Sequence, residues 1–448
     1  MVLPENVISY LDKILQSGFD AYVVGGAPRD ILMGKIPTDF DVATSATTEE
    51  LKSVFKGERV IETGVKHGTL SIMYNGEIFE TTTFRIDGEY SDNRHPDSVS
   101  FSRDIKTDLE RRDFTVNAIA VSVSGEIIDP FGGIEDIKRG VIRCVGNAEK
   151  RFEEDALRIL RAIRFASKTG FKIDKDTFFA MLDKKCLLSS VSKERIYQEL
   201  TKTLLGEFAA QAIGDYKEII FEILPVLRAQ DGFDQKSLSH CFDVFSHTLA
   251  ALSLLREKNA VTAWATLFHD AGKPFTFVVD SRGYGHFPNH MEVSANIAEK
   301  VLKELKAPSD LIRRVTTIIR FHDEPLSSSR YEVKKFLSLY GEEILKDLIT
   351  LKFADIYAHS EHGIKKYSQE RILLKRYFEE IVENGDCYKL SDLCVNGSDI
   401  ASIGFCGKEI GDILDRLLDA VMKGEAENNR EKLLDLAKQW KQRIRPSS

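Results

Sequence analysis

The sequence predicts an α+β protein with a small mixed β-sheet near its N-terminus and helices through the rest of the chain. Two apolar runs flank the glycine pair Gly25-Gly26, and alternating segments joined by an Asn75-Gly76 turn follow them, as expected for strands. From Arg151 onward one helical pattern succeeds another. The chain of 448 residues is too long for one hydrophobic core, so several domains are expected.

The composition excludes several classes of protein. Hydrophobic residues make up 43% and charged residues 29% of the chain, which is ordinary for a soluble globular protein. No apolar run is long enough to span a membrane, and residues 1–15 follow an amphipathic helical pattern rather than that of a signal peptide. The six cysteines include no C-x-x-C pair, which predicts free thiols in a reducing cytoplasm. The net charge of −8 argues only weakly against nucleic acid, because a local basic surface matters more than the total.

The first elements surround the glycine pair. Residues 1–20 predict one helix, Ala21–Val24 a buried strand, and Ala27–Met33 a second helix. Gly25 and Gly26 end the strand and let the backbone come close to a ligand.

Asp39 and Asp41 are the leading candidates for a metal site. A second strand is predicted to carry them, and because side chains alternate along a strand, both carboxylates share one face. Beside a glycine turn and Arg29, they would suit Mg²⁺ and a triphosphate. A bare D-x-D pattern is more often an exposed strand edge with solvated aspartates, but the G-G-x-x-R-D sequence upstream reverses that balance.

Capping and turn signals predict the rest of the sheet. A capping box begins a helix over Thr47–Phe55, and strands are predicted over Arg59–Thr63, Thr69–Tyr74 and Ile78–Arg85. Glu80 lies on the last strand, either as a third carboxylate near the metal or as a solvated residue.

Two further stretches complete the head. The polar stretch Ile86–Thr107 predicts a long loop, which inside a compact domain is either functional or mobile. Asp108–Ala120 predicts a helix that carries Arg111, Arg112 and Asp113 at the edge of an apolar run.

The first helix beyond the head carries a charged stripe. It is predicted over Arg151–Lys168, with Asp155, Arg158, Arg161 and Arg164 at steps of three. Asp155 and Arg158 are then helix neighbours, and the simplest interpretation is a surface ion pair worth roughly a few tenths of a kcal/mol.

The same pair of side chains could instead select a base. A fixed carboxylate accepts from an exocyclic amine, and a fixed guanidinium donates to an adjacent ring nitrogen or carbonyl. Cytosine and adenine both present an amine next to an acceptor, whereas guanine and uracil present the inverted pattern. One Asp–Arg pair could therefore accept CTP and ATP and reject GTP and UTP without a nucleic-acid template.

Four motifs together resemble those of the class II tRNA nucleotidyltransferases, which are the CCA-adding enzymes and their bacterial poly(A) polymerase relatives. The motifs are G-G-A-P-R-D, D-F-D, Arg111-Arg112-Asp113 and Glu154-Asp155-Ala156-Leu157-Arg158, in the family's order over roughly the first 200 residues. The resemblance implies a polymerase-beta-like nucleotidyltransferase head with a small mixed sheet, followed by an all-helical neck, body and tail.

The resemblance also implies an activity and its residues. The activity is template-independent addition of CMP and AMP from CTP and ATP to the 3′ end of tRNA, with the tRNA selected by RNA shape. Asp39 and Asp41 would be catalytic and would hold two Mg²⁺ ions. The residues expected on the nucleotide are Gly26, Arg29, Arg112, Asp113 (near the ribose), Asp155, Arg158, Arg161 and Arg164.

The nearest alternatives are a partial enzyme that adds only CC or only A, or a poly(A) polymerase. In the resembled family a flexible loop at the place of Ile86–Thr107 is needed for the final A, and CC-adding members are shortened there. This chain keeps the loop, with Arg94 and His95 available to contact nucleotide or neck. Addition of all three nucleotides is therefore expected.

A second set of candidate ligands follows the neck. Its members are His247, His269, Asp270, His290, His322 and Asp355. The order H…HD…H…H…D resembles the HD phosphohydrolase superfamily, in which His247, His269, Asp270 and Asp355 match the four-ligand set. His290 and His322 match the additional ligands of two-metal members.

Imidazole with carboxylate suits Mn²⁺, Fe²⁺, Ni²⁺ or Zn²⁺ better than Ca²⁺. The alternatives are an HD domain kept only as a spacer or tRNA-contacting module, and an HD phosphohydrolase whose head merely binds nucleotide.

Four domains are therefore predicted. They are a nucleotidyltransferase head (1–143), a helical neck and body (144–238), an HD domain (239–365) and a helical tRNA-binding tail (366–448). The tail resembles the C-terminal segment of the Gram-positive-type CCA-adding enzymes, and its last basic residues suit an RNA backbone. These residues are Lys438, Lys441, Arg443 and Arg445. The sequence does not indicate an oligomeric state.

Overall fold

The structure, a computed structural model, describes residues 1–64, 68–87 and 99–444. They form two compact units. The N-terminal unit comprises Met1–Arg228 with Glu304–Lys306, and the C-terminal unit comprises Ala229–Lys303 and the chain from Ala307 onward. The division into four domains is finer than this and stays a prediction.

A mixed sheet lies at the centre of the head. The strands of this region are β1 (Ala21–Val24), β2 (Asp41–Thr44), β3 (Arg59–Gly64), β4 (Thr69–Tyr74), β5 (Glu77–Thr83), β6 (Arg85–Asp87), β7 (Val99–Phe101), β8 (Ala120–Val121) and β9 (Ile127–Ile128). Seven of them form one sheet in the order β3-β4-β5-β2-β1-β8-β9, and β6 pairs with β7. Strands β2 and β5 are parallel and the other neighbours in the sheet are antiparallel, so the predicted mixed sheet is confirmed.

Five helices accompany the strands of the head. They are α1 (Glu5–Gln16), α2 (Gly26–Leu32), α3 (Thr48–Val54), α4 (Ile105–Glu110) and α5 (Gly133–Arg139). The predicted capping box of α3 is present, because Thr47 and Glu50 each accept from the other's backbone N–H. Tyr10 of α1 stacks on Phe55 and Phe79 at ring-centroid distances of 4.7 and 4.1 Å, which fixes α1 against the sheet.

The strand that carries the aspartate motif is shorter than predicted. It begins at Asp41, and Asp39 lies in the chain before it, so the prediction that one strand carries both aspartates is wrong. Asp41 pairs with Val24, the last residue of β1 before the Gly25 turn. Strand β1 therefore ends at the residue that pairs with Asp41 and offers no partner for Asp39.

The predicted helix Asp108–Ala120 is also wrong. Helix α4 ends at Glu110, a single 3₁₀ turn spans Thr115–Asn117, and β8 follows. The intervening Phe114 is fully buried with φ −130° and ψ 148°, and it pairs with Cys144 in an isolated β-bridge. This extended residue interrupts the helical path.

The stretch Ile86–Thr107 was expected to be one loop, but β6 pairs with β7 across it and α4 begins at Ile105. Arg94 and His95 lie outside the described residues.

Helices continue through the rest of the N-terminal unit. They are α6 (Ala148–Glu154), α7 (Leu157–Thr169), α8 (Lys175–Lys184), α9 (Lys193–Leu204), α10 (Ala209–Asp215) and α11 (Lys217–Ile223), with the short parallel strands β10 (Val141–Ile142) and β11 (Lys172–Ile173). The single helix predicted over Arg151–Lys168 is wrong, because Asp155 breaks it with φ −146° and ψ 101°. The Asp155 carboxylate accepts from the Leu157 N–H (3.1 Å) and so caps the start of α7.

The C-terminal unit is almost entirely helical. Its elements are α12 (Val244–Leu254), α13 (Ala260–Phe268), α14 (Lys273–Thr276), β12 (Val278–Val279), β13 (Gly285–His286), α15 (His290–Glu304), α16 (Ser309–Phe321), α17 (Arg330–Tyr340), α18 (Glu342–Tyr357), α19 (Glu361–Glu383), α20 (Gly397–Ser402), α21 (Lys408–Lys423) and α22 (Arg430–Ile444). Across the described ranges, none of the helices combines the length and hydropathy needed to cross a bilayer. All six cysteines are free, as predicted.

The basic tail residues are partly engaged within the tail itself. Lys441 donates to the carbonyls of Ile403 and Gly404 at 2.8 and 2.9 Å, just beyond the C-terminal end of α20. Lys438 pairs with Asp435 at 3.1 Å. Arg445 and the side chain of Arg443 lie outside the described part of the chain.

Candidate active site and candidate metal centre

One cavity in the N-terminal unit brings the predicted nucleotide site together. It has a volume of about 1030 Å³. Its lining includes every residue predicted for that site, namely Gly26, Arg29, Asp39, Asp41, Arg112, Asp113, Asp155, Arg158, Arg161 and Arg164. Residues from the head and from the helices beyond it therefore share one cavity.

Gly25 holds the backbone against the aspartate motif. It has φ +77°, and a Cβ at this position would lie 2.6 Å from Asp41 Oδ2. A glycine is required for both reasons, because L side chains rarely adopt this φ and no heavy atom fits at that distance. The turn after β1 therefore packs directly on the carboxylate predicted to bind metal.

Three carboxylates converge on this part of the cavity wall. Asp41 pairs in parallel register with Glu80 of β5, and Asp39 precedes Asp41 by two residues. Burial, together with the charges of Asp39 and Glu80, raises the pKa of Asp41 to about 6 against the opposing charge of Arg112. Clustered oxygen ligands with unbalanced negative charge fit Mg²⁺, and the placement of Glu80 favours its role as a third acidic group.

A buried carboxylate organises the basic side of the cavity. Asp113 accepts from Arg161 Nε at 2.7 Å on one oxygen, and from the Phe114 N–H and Asn117 Nδ2 on the other. Burial opposes its ionisation, but Arg161 outweighs burial and lowers the pKa of Asp113 to about 2. Asn117 Oδ1 accepts in turn from Arg29 Nη1 at 2.6 Å, so one hydrogen-bond chain links α2 to α7.

Phe165 of α7 is surrounded by three guanidinium groups. Its ring centroid lies 5.3 Å from Cζ of Arg29, 5.4 Å from Cζ of Arg161 and 4.5 Å from Cζ of Arg164. Each arginine also pairs with its own carboxylate, respectively Asp30, Asp113 and Glu199. The aromatic ring and the three acids together stabilise a dense positive cluster at the cavity.

Asp155 and Arg158 both line the cavity, and other residues contact each of them. Asp155 Oδ2 accepts from Arg195 at 2.8 Å, and Arg158 Nη1 donates to Glu154 and to the Arg151 carbonyl. The prediction that Asp155 and Arg158 are neighbours within one helix is wrong, because Asp155 lies at the break between α6 and α7. The two groups are instead held in place by separate partners.

The second set of candidate ligands converges inside the C-terminal unit. His247 Nε2 lies 2.9 Å from Asp355 Oδ1 and 3.6 Å from Asp270 Oδ2, and His269 Nε2 lies 3.3 Å from Asp270 Oδ2. Asp270 Oδ1 lies 3.7 Å from Nε2 of both His290 and His322. The structure thus brings all six predicted ligands together, with Asp270 between two groups of histidines.

Backbone carbonyls fix the orientation of these histidines. Nδ1 of His269 contacts the Thr266 carbonyl at 2.7 Å, and Nδ1 of His322 contacts the Ile319 carbonyl at 2.7 Å. His290 does the same with the Phe287 carbonyl at 2.9 Å. A carbonyl can only accept, so Nδ1 donates and the Nε2 lone pair points toward the carboxylates, as in metal sites.

The charge of the centre also fits a cation. Burial lowers the pKa of His269, but Asp270 and Asp355 outweigh burial and raise it to about 10. The buried carboxylates therefore favour a positive charge here, which Lys273 supplies in part at 2.7 Å from Asp270 Oδ2. Imidazole nitrogens with carboxylate oxygens fit a divalent transition metal.

Comparison with known proteins identifies the family. The model of a poly(A) polymerase head domain matches residues 21–143, that of an HD domain matches 238–360, and that of a probable RNA- and SrmB-binding site of polymerase A matches 170–219. The CCA-adding enzyme of Leuconostoc mesenteroides is 32% identical over 444 residues, covering 98% of each chain. The chain belongs to the CCA-adding enzyme family.

Further comparisons agree with this assignment. The CCA-adding enzyme of Geobacillus stearothermophilus is 35% identical over 435 residues, covering 96% of this chain and 95% of that one. The crystal structure of the Bacillus stearothermophilus CCA-adding enzyme in complex with CTP matches with a TM-score of 0.72 and 30% identity, over 99% of both chains. The predicted family and fold class are confirmed, and both matched domain types imply dependence on divalent metal ions in general.

Within this family member, sequence reasoning missed several residues of the two sites. Asn117 lies four residues after Asp113 on a 3₁₀ turn, and Phe165 lies next to Arg164 on α7, so both are close in sequence to predicted site residues. Their closeness to these motifs could have indicated them. Arg195 reaches Asp155 from 40 residues away, which no local pattern indicates. The rings of His240 and His359 lie beside that of His247. No sequence pattern indicated that these three histidines are close in space.

We predict that Gly25→Ala abolishes efficient nucleotide addition while the chain still folds. The added methyl group must displace Asp41 Oδ2, and a displacement of about 1 Å at a reacting centre can cost roughly 100-fold in rate. Turnover with CTP and a tRNA that lacks its 3′ end measures the effect. Gly34→Ala is the matched control, because Gly34 also has positive φ (+72°) but nothing lies within 4 Å of its Cβ position. Equal activity of the two variants would contradict the role of the Gly25 contact.

Proposed function

We infer that this chain adds CCA to the 3′ end of tRNA from CTP and ATP, without a nucleic-acid template. The observation that carries the inference is the single cavity in which an acidic cluster of the head faces an Asp–Arg group suited to reading a base edge. Membership of the CCA-adding enzyme family supports it. A poly(A) polymerase, a partial CC- or A-adding enzyme and an HD phosphohydrolase with a merely nucleotide-binding head are the competing functions.

In this proposal Asp39 and Asp41 hold Mg²⁺, and Glu80 adds a third carboxylate beside them. The ions supply stabilisation of the leaving pyrophosphate and alignment of the primer 3′-hydroxyl. Arg112 lines the same cavity and its charge opposes burial at Asp41, which supports the proposal that it binds the triphosphate. Gly25 leaves room for the Asp41 carboxylate, since a Cβ there would lie 2.6 Å from Asp41 Oδ2.

We propose a positioning role for Asp113 besides the predicted contact with the ribose. The resemblance placed it near the ribose, but its carboxylate already accepts from Arg161, Asn117 and a backbone N–H. We propose that it acts mainly by holding Arg161 at the cavity, together with Arg29 through Asn117. The ribose contact itself stays a prediction.

Base choice rests on Asp155 and Arg158. Each is fixed by partners other than the nucleotide, Asp155 by Arg195 and the Leu157 N–H, and Arg158 by Glu154 and the Arg151 carbonyl. A carboxylate has about four acceptor positions, so Asp155 retains capacity for an exocyclic amine. Side chains that are held in position before the nucleotide binds can select a base by its hydrogen-bonding groups, which is the task of a template in other polymerases.

Transfer RNA and the order of addition complete the proposal. RNA shape rather than base sequence would select the tRNA, with contacts from residues 170–219 and from the basic tail. The proposed moving loop, including Arg94, His95 and the segment 89–96, lies mainly outside the described residues, so its role in adding the final A stays a prediction. Oligomeric state is left open, and a cytoplasmic location stays a prediction.

We predict that Asp41→Asn and Asp39→Asn each abolish addition of CMP in the presence of Mg²⁺. Each removes charge from the metal site, which is worth several kcal/mol in the transition state, or at least about 10³-fold in rate. The measurement is single-turnover incorporation of labelled CTP. Glu80→Gln should cost less, and Glu77→Gln on the exposed start of the same strand should cost nothing. Near-normal turnover of Asp41→Asn would remove the metal assignment.

We predict that Asp155→Ala reduces the preference for CTP and ATP over UTP by roughly 10- to 100-fold, because a lost hydrogen bond costs about 1–3 kcal/mol in specificity. Arg195→Ala should shift the same preference by less, since Arg195 acts through Asp155. Lys193→Ala, an exposed position on the same helix, is the control. Competition assays with each NTP measure the preference for CTP and ATP over UTP. An unchanged preference in Asp155→Ala would indicate that Asp155 has only a structural role.

A second candidate function is supported by the buried centre of the C-terminal unit. We propose that His247, His269, Asp270 and Asp355 bind a divalent transition metal, with His290 and His322 at a second position, and that the centre hydrolyses phosphate esters. Mn²⁺, Fe²⁺, Ni²⁺ and Zn²⁺ suit these ligands. Such a metal would supply an activated water as nucleophile. The supporting observation is the set of Nε2 atoms aimed at two buried carboxylates.

We predict that the double variant His269→Ala/Asp270→Ala loses bound transition metal and any phosphatase or phosphodiesterase activity but keeps CCA addition, because its site is separate from the nucleotide cavity. Elemental analysis and hydrolysis of generic phosphate esters measure the loss. His286→Ala, an exposed histidine of β13, is the control. A wild-type chain that binds no transition metal and hydrolyses no ester would favour the spacer interpretation.

A further inference from the structure

Two histidines outside the predicted ligand set lie against the metal centre. His240 precedes α12, and His359 follows the end of α18. Their rings are 4.2 Å apart between centroids, and the His247 ring lies 5.0 Å from the first and 5.2 Å from the second. One ring nitrogen of each of the three histidines lies within 4.8 Å of those of the other two.

These two histidines lack the outer partners that the other histidines have. In the described part of the chain, Nδ1 of His240 and Nδ1 of His359 are buried and have no hydrogen-bond partner. Leaving such a polar atom unsatisfied is unfavourable, so a buried ligand is expected at Nδ1 of His240. His359 Nε2 lies 3.4 Å from Asp355 Oδ1, a separation suited to two ligands about 2.1 Å from one ion.

The backbone holds the two histidines together. The Ser360 N–H donates to the Ser239 carbonyl at 2.9 Å, and the Ser360 hydroxyl donates to the Leu238 carbonyl at 2.7 Å. A Cβ at Gly363 would lie 2.7 Å from the Ser239 oxygen and 3.0 Å from His359 Nδ1, so only glycine allows this approach. The residues next to His240 and His359 are therefore tied to each other, and the two rings are placed by the fold.

We propose that His240 and His359 form a further transition-metal position at the edge of the centre, which shares the Asp355 carboxylate with the neighbouring position. Asp355 Oδ1 lies 2.9 Å from His247 Nε2, 3.7 Å from His269 Nε2 and 3.4 Å from His359 Nε2, so this oxygen lies between the two positions. Asp270 occupies the equivalent place between the other two. A set of imidazoles with one carboxylate suits Zn²⁺, Co²⁺ or Ni²⁺ rather than Mg²⁺. The proposal requires neither CCA addition nor phosphate-ester hydrolysis.

The test counts the ions bound to the full chain. Protein stripped with a chelator is dialysed to equilibrium against Zn²⁺ or Co²⁺, and bound metal is measured by elemental analysis and by the visible absorption of Co²⁺. His240→Gln/His359→Gln should bind one ion per chain fewer than the wild type. His362→Gln is the matched control, because His362 is exposed on α19 three residues from His359.

Further variants separate this position from the predicted ones. The double variant should still bind metal at the predicted positions. Adding His269→Ala to it should remove the ion at the position that includes His269. The single variant His359→Asn, a milder change, should also lose one ion, and retained circular dichroism and CCA addition show that each variant folds. Three results would overturn the proposal: unchanged stoichiometry in the double variant, loss of all metal in it, or no metal in the wild type.

Discussion

The nucleotide cavity depends on one buried carboxylate, that of Asp113. This group belongs to the chain that leaves α4, and Arg161 belongs to α7, so their ion pair joins segments 48 residues apart. Through Asn117 the same carboxylate fixes Arg29 on α2. Because one chain of hydrogen bonds joins three segments, the geometry of the basic wall is set before any nucleotide binds.

The basic wall and the acidic wall of the cavity differ in how far the protein balances their charges. Arg29, Arg161 and Arg164 gather around Phe165, and each is balanced by an acid of its own. Asp41 has the opposing charge of Arg112 but also lies near Asp39 and Glu80, and its pKa is raised to about 6. The basic wall is therefore close to electrically satisfied by the protein, whereas the acidic wall needs a cation from outside. This difference between the two walls suits a site that binds a metal ion at the acidic wall together with a triphosphate.

The sequence predicted features that depend on neighbouring residues better than those that depend on contacts between distant residues. Contiguous motifs, such as the Gly25-Gly26 turn, Asp39 and Asp41, and the Thr47 capping box, predicted residues that line one cavity and most helix and strand positions. Asp155 shows the limit, because helical spacing predicted a pair with Arg158, while its backbone is extended and its partner is Arg195. The helix predicted over Asp108–Ala120 failed for a related reason. Burial of Phe114 and its bridge to Cys144 outweigh the local preference for a helix.

The metal centre shows how a helix end can prepare a ligand. The last carbonyls of a helix have no partner within it. His269 and His322 each follow the last residue of a helix, and each ring donates to one of those carbonyls, Thr266 or Ile319. One hydrogen bond thus satisfies the helix end, selects the tautomer and aims Nε2 at Asp270. Among the described residues, by contrast, the buried Nδ1 atoms of His240 and His359 have no hydrogen-bond partner. The two kinds of histidine, though adjacent, therefore differ in whether a backbone carbonyl fixes the tautomer and orientation of the ring.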